Sequence, residues 1–208
     1  MTVTSKAPLS KALWGVTAFL SIGIALFSYR YLGPPNITES PQILANLFAR
    51  PWLLVHVAGA ATALLVGGFQ FLPALRRRRG VHRWLGRTYA TACIVGGAGG
   101  FVMAFGTTAG PVATWGFALL APTWIFTTVQ GWRTARARRF DEHRAWMIRS
   151  FALTFAAVTL RLYLPIMQMS GMPFELCYPI TAWISWIPNL IAAELYLRRG
   201  QPRLLAAG

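Results

Sequence analysis

The sequence predicts an all-α polytopic membrane protein, a six-transmembrane-helix bundle with both termini cytoplasmic, and three observations carry that prediction. The first is composition. Of 208 residues, 55% are hydrophobic and 12% charged, and the mean hydropathy is +0.48, whereas an ordinary soluble domain is about 25% charged. The second is length: six apolar stretches each reach the roughly 20 helical residues that a hydrocarbon core about 30 Å thick requires. The third is the placement of positive charge. Seventeen of the twenty lysines and arginines fall on one side of the predicted bundle.

The stretches run over about 12–32, 51–75, 84–107, 112–132, 145–169 and 176–197, and together they make one membrane domain over residues 1–208. The first could be mistaken for a signal peptide, but it is longer than such an apolar region and has no clear small-x-small cleavage site, so it reads as a retained helix. Breaks between stretches carry turn chemistry: Gly33-Pro34-Pro35, Gly110-Pro111 and Ser170-Gly171-Met172-Pro173, with Pro51 suited to a first helical turn. Pro73, Pro122, Pro165 and Pro188 predict kinks. Gly59, Gly67 and Gly68 in the second stretch, and Gly96, Gly97, Gly99 and Gly100 in the third, predict close helix packing.

Lys6 and Lys11, six arginines from Arg76 to Arg87, six from Arg133 to Arg149, and Arg198, Arg199 and Arg203 share one side. By the positive-inside rule that side is the cytoplasm, and the protein is a multi-pass protein of the cell inner (plasma) membrane. A formal charge of +15 would point to nucleic acid in a soluble chain. Here it marks orientation and affinity for anionic lipid in the bilayer, so no nucleic-acid partner is expected. Cys93 and Cys177 stand far apart inside apolar runs and imply neither a disulfide nor a metal site.

The region from Gln70 to Arg87 returns as Gln130 to Arg149. Each copy passes from a glutamine through a basic turn to a His-Arg pair and a further arginine; Gln70 to His82 is twelve residues, and Gln130 to His143 thirteen. Two of the chain's three histidines thus occupy equivalent places.

Ionisable groups inside a bilayer are costly and mark functional sites. His56 and Arg161 fall at an outer level, and His82, His143 and Glu194 at an inner one. Two readings of the inner histidines stand side by side. In one, the His-Arg pairs bind lipid phosphates and cap helices at the interface. In the other, His82 and His143 face inward and ligate one haem b, with Arg83, Arg87, Arg144 and Arg149 holding its propionates or an anionic substrate, and quinone as an electron partner. Equal depth follows from the repeat; facing depends on packing. His56 reads as a packing residue or as an outer haem ligand, for which Met103, Met167 or Met169 would have to be the partner. Arg161 either snorkels or pairs with an anionic ligand or an internal acceptor. Glu194 suits an ion pair with the basic inner ends, or a proton-carrying group near a quinone. No nucleophile-base pair, carboxylate pair, metalloprotease motif or nucleotide loop is visible.

The segments HVAGAATALLVGGFQFLPALR, HRWLGRTYA, EHRAWMIRSFALTFAAVTLRLYLP and WISWIPNLIAAE, from His56 to Glu194, resemble the bacterial membrane-protein family catalogued as domain of unknown function 2306. That resemblance implies a membrane protein and little more. A more distant likeness is to the six-helix dihaem cytochromes b, where the second helix pairs with the fourth at an outer haem and the third with the fifth at an inner one. The likeness implies an inner haem between His82 and His143. The fourth stretch has no histidine to complete an outer one. The functional expectation is a haem-b electron-transfer protein or oxidoreductase. The alternative is a non-enzymatic membrane component that binds lipid, transports, or serves as an accessory subunit.

Overall fold

A computed structural model describes residues 8–33 and 48–199. Lys6, Pro34, Pro35 and Arg203, used above, lie outside the described residues. Among the described residues there is no strand, and six spans are long and apolar enough to cross a membrane: Ala12–Leu32, Ala49–Gln70, Arg79–Phe105, Gly110–Arg136, Phe140–Met169 and Phe174–Arg199. Because the spans alternate in direction, the two arginine-rich turns share one end of the bundle, the basic end, with the close of the sixth span. The opposite end is the far end.

Side chains are sorted by size in the sense that lipid demands. Phe19, Ile166 and Met169 are 76%, 61% and 86% exposed, while the buried set is mostly alanine, serine and threonine, with few large residues such as Leu64, Tyr89 and Trp124. Lipid tails give helices no hydrophobic reason to associate, so small residues that permit close contact carry the interior. Trp84 and Phe140 stand exposed near the basic end, and Phe48, Phe105 and Trp115 near the far end, as interfacial aromatic belts do.

Spans two, three, four and five form a ring. Neighbours touch in chain order, and the second span closes the ring against the fifth, leaving the third and fifth on a diagonal. The first span packs on the second. The sixth lies against the fourth and fifth. The tightest seam joins the second and third spans, where a Cβ on Gly59 would collide with the backbone of Gly96, and one on Gly96 would fall 2.7 Å from the Ala60 nitrogen.

Several boundaries differ from the sequence pattern, each for a local reason. The second span is shorter than 51–75 because Leu72 turns extended (ψ 124°) ahead of Pro73, the backbone that a residue before proline prefers. A short helix, Pro73–Arg77, follows. The third span starts at Arg79 and the fifth at Phe140, each about a turn before apolar character begins, because the charged first turn is helical outside the hydrocarbon. Pro122 and Pro165 lie within helices that continue through them. The fifth span is instead interrupted at Phe155, and the sixth at Ser185 and Trp186, just ahead of Pro188.

Both interruptions are healed by one set of polar side chains. Asn189 Nδ2 donates to the carbonyls of Ala152 (3.3 Å) and Ser185 (2.9 Å), and Thr159 Oγ1 donates to the Ser185 carbonyl (2.5 Å). A freed carbonyl in hydrocarbon has no water to turn to, so these side chains replace the missing helical bonds.

The Gly59–Gly96 seam yields a stability prediction. Gly59→Leu should destabilise the bundle by at least about 1–3 kcal/mol, since the added atoms meet backbone that has nowhere to move. Gly15, with open space around it, should tolerate the same change. Unfolding in a denaturing-detergent titration of both variants checks this.

Candidate functional site

The turn between the fourth and fifth spans sets the site. The fourth helix ends with the Arg139 amide bonded to the Thr134 carbonyl (2.9 Å) and the Arg138 amide to that of Ala135 (3.1 Å), with Arg138 left-handed at φ 59°. This is the paired cap that reverses a chain within three residues, occupied here by arginine where glycine is usual. The fifth helix then starts from Arg139, whose φ and ψ are −86° and 76°. Arg78, before the third helix, has nearly the same values, −85° and 78°.

Four residues past each arginine comes a histidine whose amide closes the first turn: His82 onto Arg78 (3.0 Å) and His143 onto Arg139 (2.9 Å). The sequence repeat is therefore a repeat of backbone geometry. Both imidazoles leave parallel helices at the same step, and both are half-buried.

Seven residues, or about 10.5 Å, along each helix from its histidine lies a residue on nearly the same face. These are Tyr89 and Ser150, and their hydroxyls bond each other at 2.9 Å. Tyr89 Oη also meets Thr154 Oγ1 (2.8 Å), Trp124 Nε1 donates to Thr154 Oγ1 (2.8 Å), and Thr128 Oγ1 meets Ser150 Oγ (2.7 Å). Tyr89, Thr128 and Ser150 are at most 1% exposed. The diagonal spans are thus tied at mid-bundle, and each histidine lies on nearly the face of its helix that carries the tie.

Two further groups line this inner region. His143 Nδ1 lies 2.8 Å from the Gly131 carbonyl. A carbonyl only accepts, so the proton is on Nδ1, and neutral imidazole then keeps its lone pair on Nε2. Gln70 is only 8% exposed, and its Nε2 has no hydrogen-bond partner among the described residues. Its Oε1 would lie 3.7 Å from a Cβ on Gly86, one turn beyond His82.

The arginines divide into two groups. Arg149 forms a two-pronged ion pair with Glu194, including Nη2 to Oε2 at 3.0 Å, and stacks 4.7 Å over Trp146. Its charge is therefore met within the protein, not kept for a ligand as expected from sequence, and Glu194 has the ion-pairing place foreseen for it. Arg83, Arg87 and Arg144 are exposed, and Arg144 Nη2 touches the Tyr196 hydroxyl at 3.2 Å.

His56 and Arg161 lie in the far half. His56 Nδ1 donates to the Gly96 carbonyl (2.8 Å), and a Cβ on Gly100 would strike the ring at 2.7 Å. Arg161 bonds the Ala157 carbonyl of its own helix (3.0 Å) and lies within electrostatic range of His56.

A model of predicted membrane proteins called DUF2306 matches residues 53–197, more than half of the chain. The chain belongs to the DUF2306 family. No curated protein and no solved structure matches it. The DUF2306 match takes in all three histidines and both arginine-rich turns, and leaves the first span outside.

Sequence reasoning passed over Tyr89, Thr128, Ser150 and Thr154. Their signal was a spacing of seven: once His82 and His143 are aligned by the repeat, Tyr89 and Ser150 align as well.

A double-mutant cycle tests the pair that closes this end. Arg149→Gln and Glu194→Gln should each destabilise, with a coupling energy of about 1 kcal/mol, in keeping with side chains 23% and 35% exposed. Additive effects in a thermal-unfolding cycle would remove the pair from the fold's energetics.

Proposed function

We propose that this DUF2306 protein is a membrane electron carrier, with one haem b held between His82 and His143 at a cytoplasmic basic end. The observation that supports the reading is the equivalent placement of two histidines, one on each of two diagonal parallel spans that are tied seven residues on by Tyr89 and Ser150. The residues present fit the group. His143 is held by a backbone carbonyl through Nδ1, the orientation that presents Nε2 to a metal. Gln70 adds a buried, unsatisfied donor beside the same face. When bound, haem b would supply reversible one-electron chemistry. Arg83, Arg87 and Arg144 would neutralise its propionates, Arg149 being engaged by Glu194. His56 would have no part in ligation, because its ring is packed into the notch left by Gly100. Quinone would exchange the electron within the membrane.

A second reading has its own observation. Arg77, Arg78, Arg79, Arg83, Arg87, Arg133, Arg136 and Arg138 are exposed, and the ion pairs among the described residues engage only Arg139 and Arg149. A surface of that kind attracts anionic lipid at about 1 kcal/mol per arginine.

An absorption spectrum of detergent-purified protein, expressed with haem supplied, separates the two. The electron-carrier reading expects a Soret band and sharp α and β bands on reduction, lost in His82→Ala and in His143→Ala and kept in His56→Ala. A colourless wild-type protein, or a normal spectrum in either inner variant, would sink it and leave the lipid surface as the working function.

A further inference from the structure

We propose that the far half of the bundle contains a separate binding site for a phosphate-type oxyanion, formed by Arg30 and Arg161. The argument starts from depth. The first span ends in a tight turn, Tyr29–Leu32, that packs on the second span, and Tyr29 Oη bonds Thr62 Oγ1 at 2.8 Å. Thr62 lies thirteen residues into the second span, about 20 Å along it, so Arg30 sits well below the far end. Arg161 lies eight residues from the close of the fifth span at Met169, about 12 Å along the helix. The first span touches that half of the fifth.

Ala25 of the first span and Val158 of the fifth share one buried cluster, five residues before Arg30 and three before Arg161 on parallel spans, so the two guanidinium groups stand at a similar level of the bundle. Among the described residues neither arginine has a carboxylate partner, since the ion pairs there are Arg139–Glu142 and Arg149–Glu194. Like charges in a low-dielectric interior repel strongly, and arginine cannot relieve this by losing its proton. A bound anion removes the conflict directly.

Each arginine keeps donors for such an anion. Arg30 lies face-on to Phe27 (4.0 Å) and Tyr31 (4.8 Å), and its Nη2 donates to the Tyr31 hydroxyl at 3.0 Å. Its faces are thereby covered, while its buried Nε has no acceptor among the described residues. Arg161 uses Nη1 on the Ala157 carbonyl and has further N–H groups to offer. Two planar forks of this kind match the tetrahedral oxygens of a phosphate better than point charges would. A phosphodiester headgroup entering from the far leaflet and a free phosphate from the far side present the same oxygens.

Thermal unfolding of the purified protein in neutral detergent, followed by tryptophan fluorescence, tests the site. It is read against inorganic phosphate, chloride of equal ionic strength, phosphatidylglycerol and phosphatidylcholine. A saturable rise in Tm with phosphate but not chloride identifies a soluble oxyanion, and a rise with phosphatidylglycerol alone identifies a headgroup. Either rise should need at least roughly tenfold more ligand in Arg30→Gln and Arg161→Gln, and should persist in Arg139→Gln at the basic end, where the side chain is already paired with Glu142. Without ligand, Arg161→Gln should melt no lower than wild type, because it removes a repelling charge; an arginine with only a structural role would lose stability. No rise in wild type with either ligand, or an undiminished rise in both far-half variants, overturns the proposal.

Discussion

In hydrocarbon a hydroxyl or an indole N–H has no water to bond, and a group left alone there costs several kcal/mol. The interior of this bundle meets that constraint by bonding such groups to one another. Tyr89 from the third span, Trp124 and Thr128 from the fourth, and Ser150 and Thr154 from the fifth form one connected set. The set works only in one register. Sliding any of the three helices by a residue would leave several buried groups without partners, so the network fixes the relative depth of the spans that apolar contact alone would leave free to slip. The depth of His82 and His143 follows from it, each seven residues from a member of the network.

The same constraint explains why the spans break where they do. Interrupting a helix inside a membrane exposes carbonyls, and the fifth and sixth spans break close enough together for Thr159 and Asn189 to bond both sides. Pro122 and Pro165 show the converse: proline within a span does not by itself produce an interruption, and the chain breaks where polar side chains are at hand to repair it.

This marks the limit of what could be read from the sequence. Six spans, their alternation and the paired basic turns follow from composition and charge, which are properties of single segments. The equivalence of His82 and His143 follows from a repeat visible in the chain, and the structure gives it a backbone basis in Arg78 and Arg139. The Tyr89 network and the repair by Asn189 were not legible, because each joins residues 22 to 65 positions apart and depends on helix rotation, which hydropathy does not encode. Arg149 looked like a free cation because Glu194 lies 45 residues away. Arg30 stands two residues before the end of the predicted first stretch, 12–32, which would put it at the surface, whereas Tyr29 reaches down to Thr62.

The two halves of the ring differ in what fills them. In the far half, Gly59 and Gly96 bring the second and third spans into backbone contact, Gly100 receives the His56 ring, and Gly116 on the fourth span is pressed against Ala182 of the sixth. Packing there is direct. The repeat-equivalent place to His56, near Trp115, has no imidazole, and Trp115 itself is 56% exposed and packs edge-on against Phe105. In the basic half the third and fifth spans stand on a diagonal, joined through the long Tyr89 side chain instead of by backbone contact. A pseudo-repeated bundle would be expected to carry equivalent sites at both ends. Here the glycines pack one end closely around its single histidine, and the two equivalent histidines begin their helices at the other.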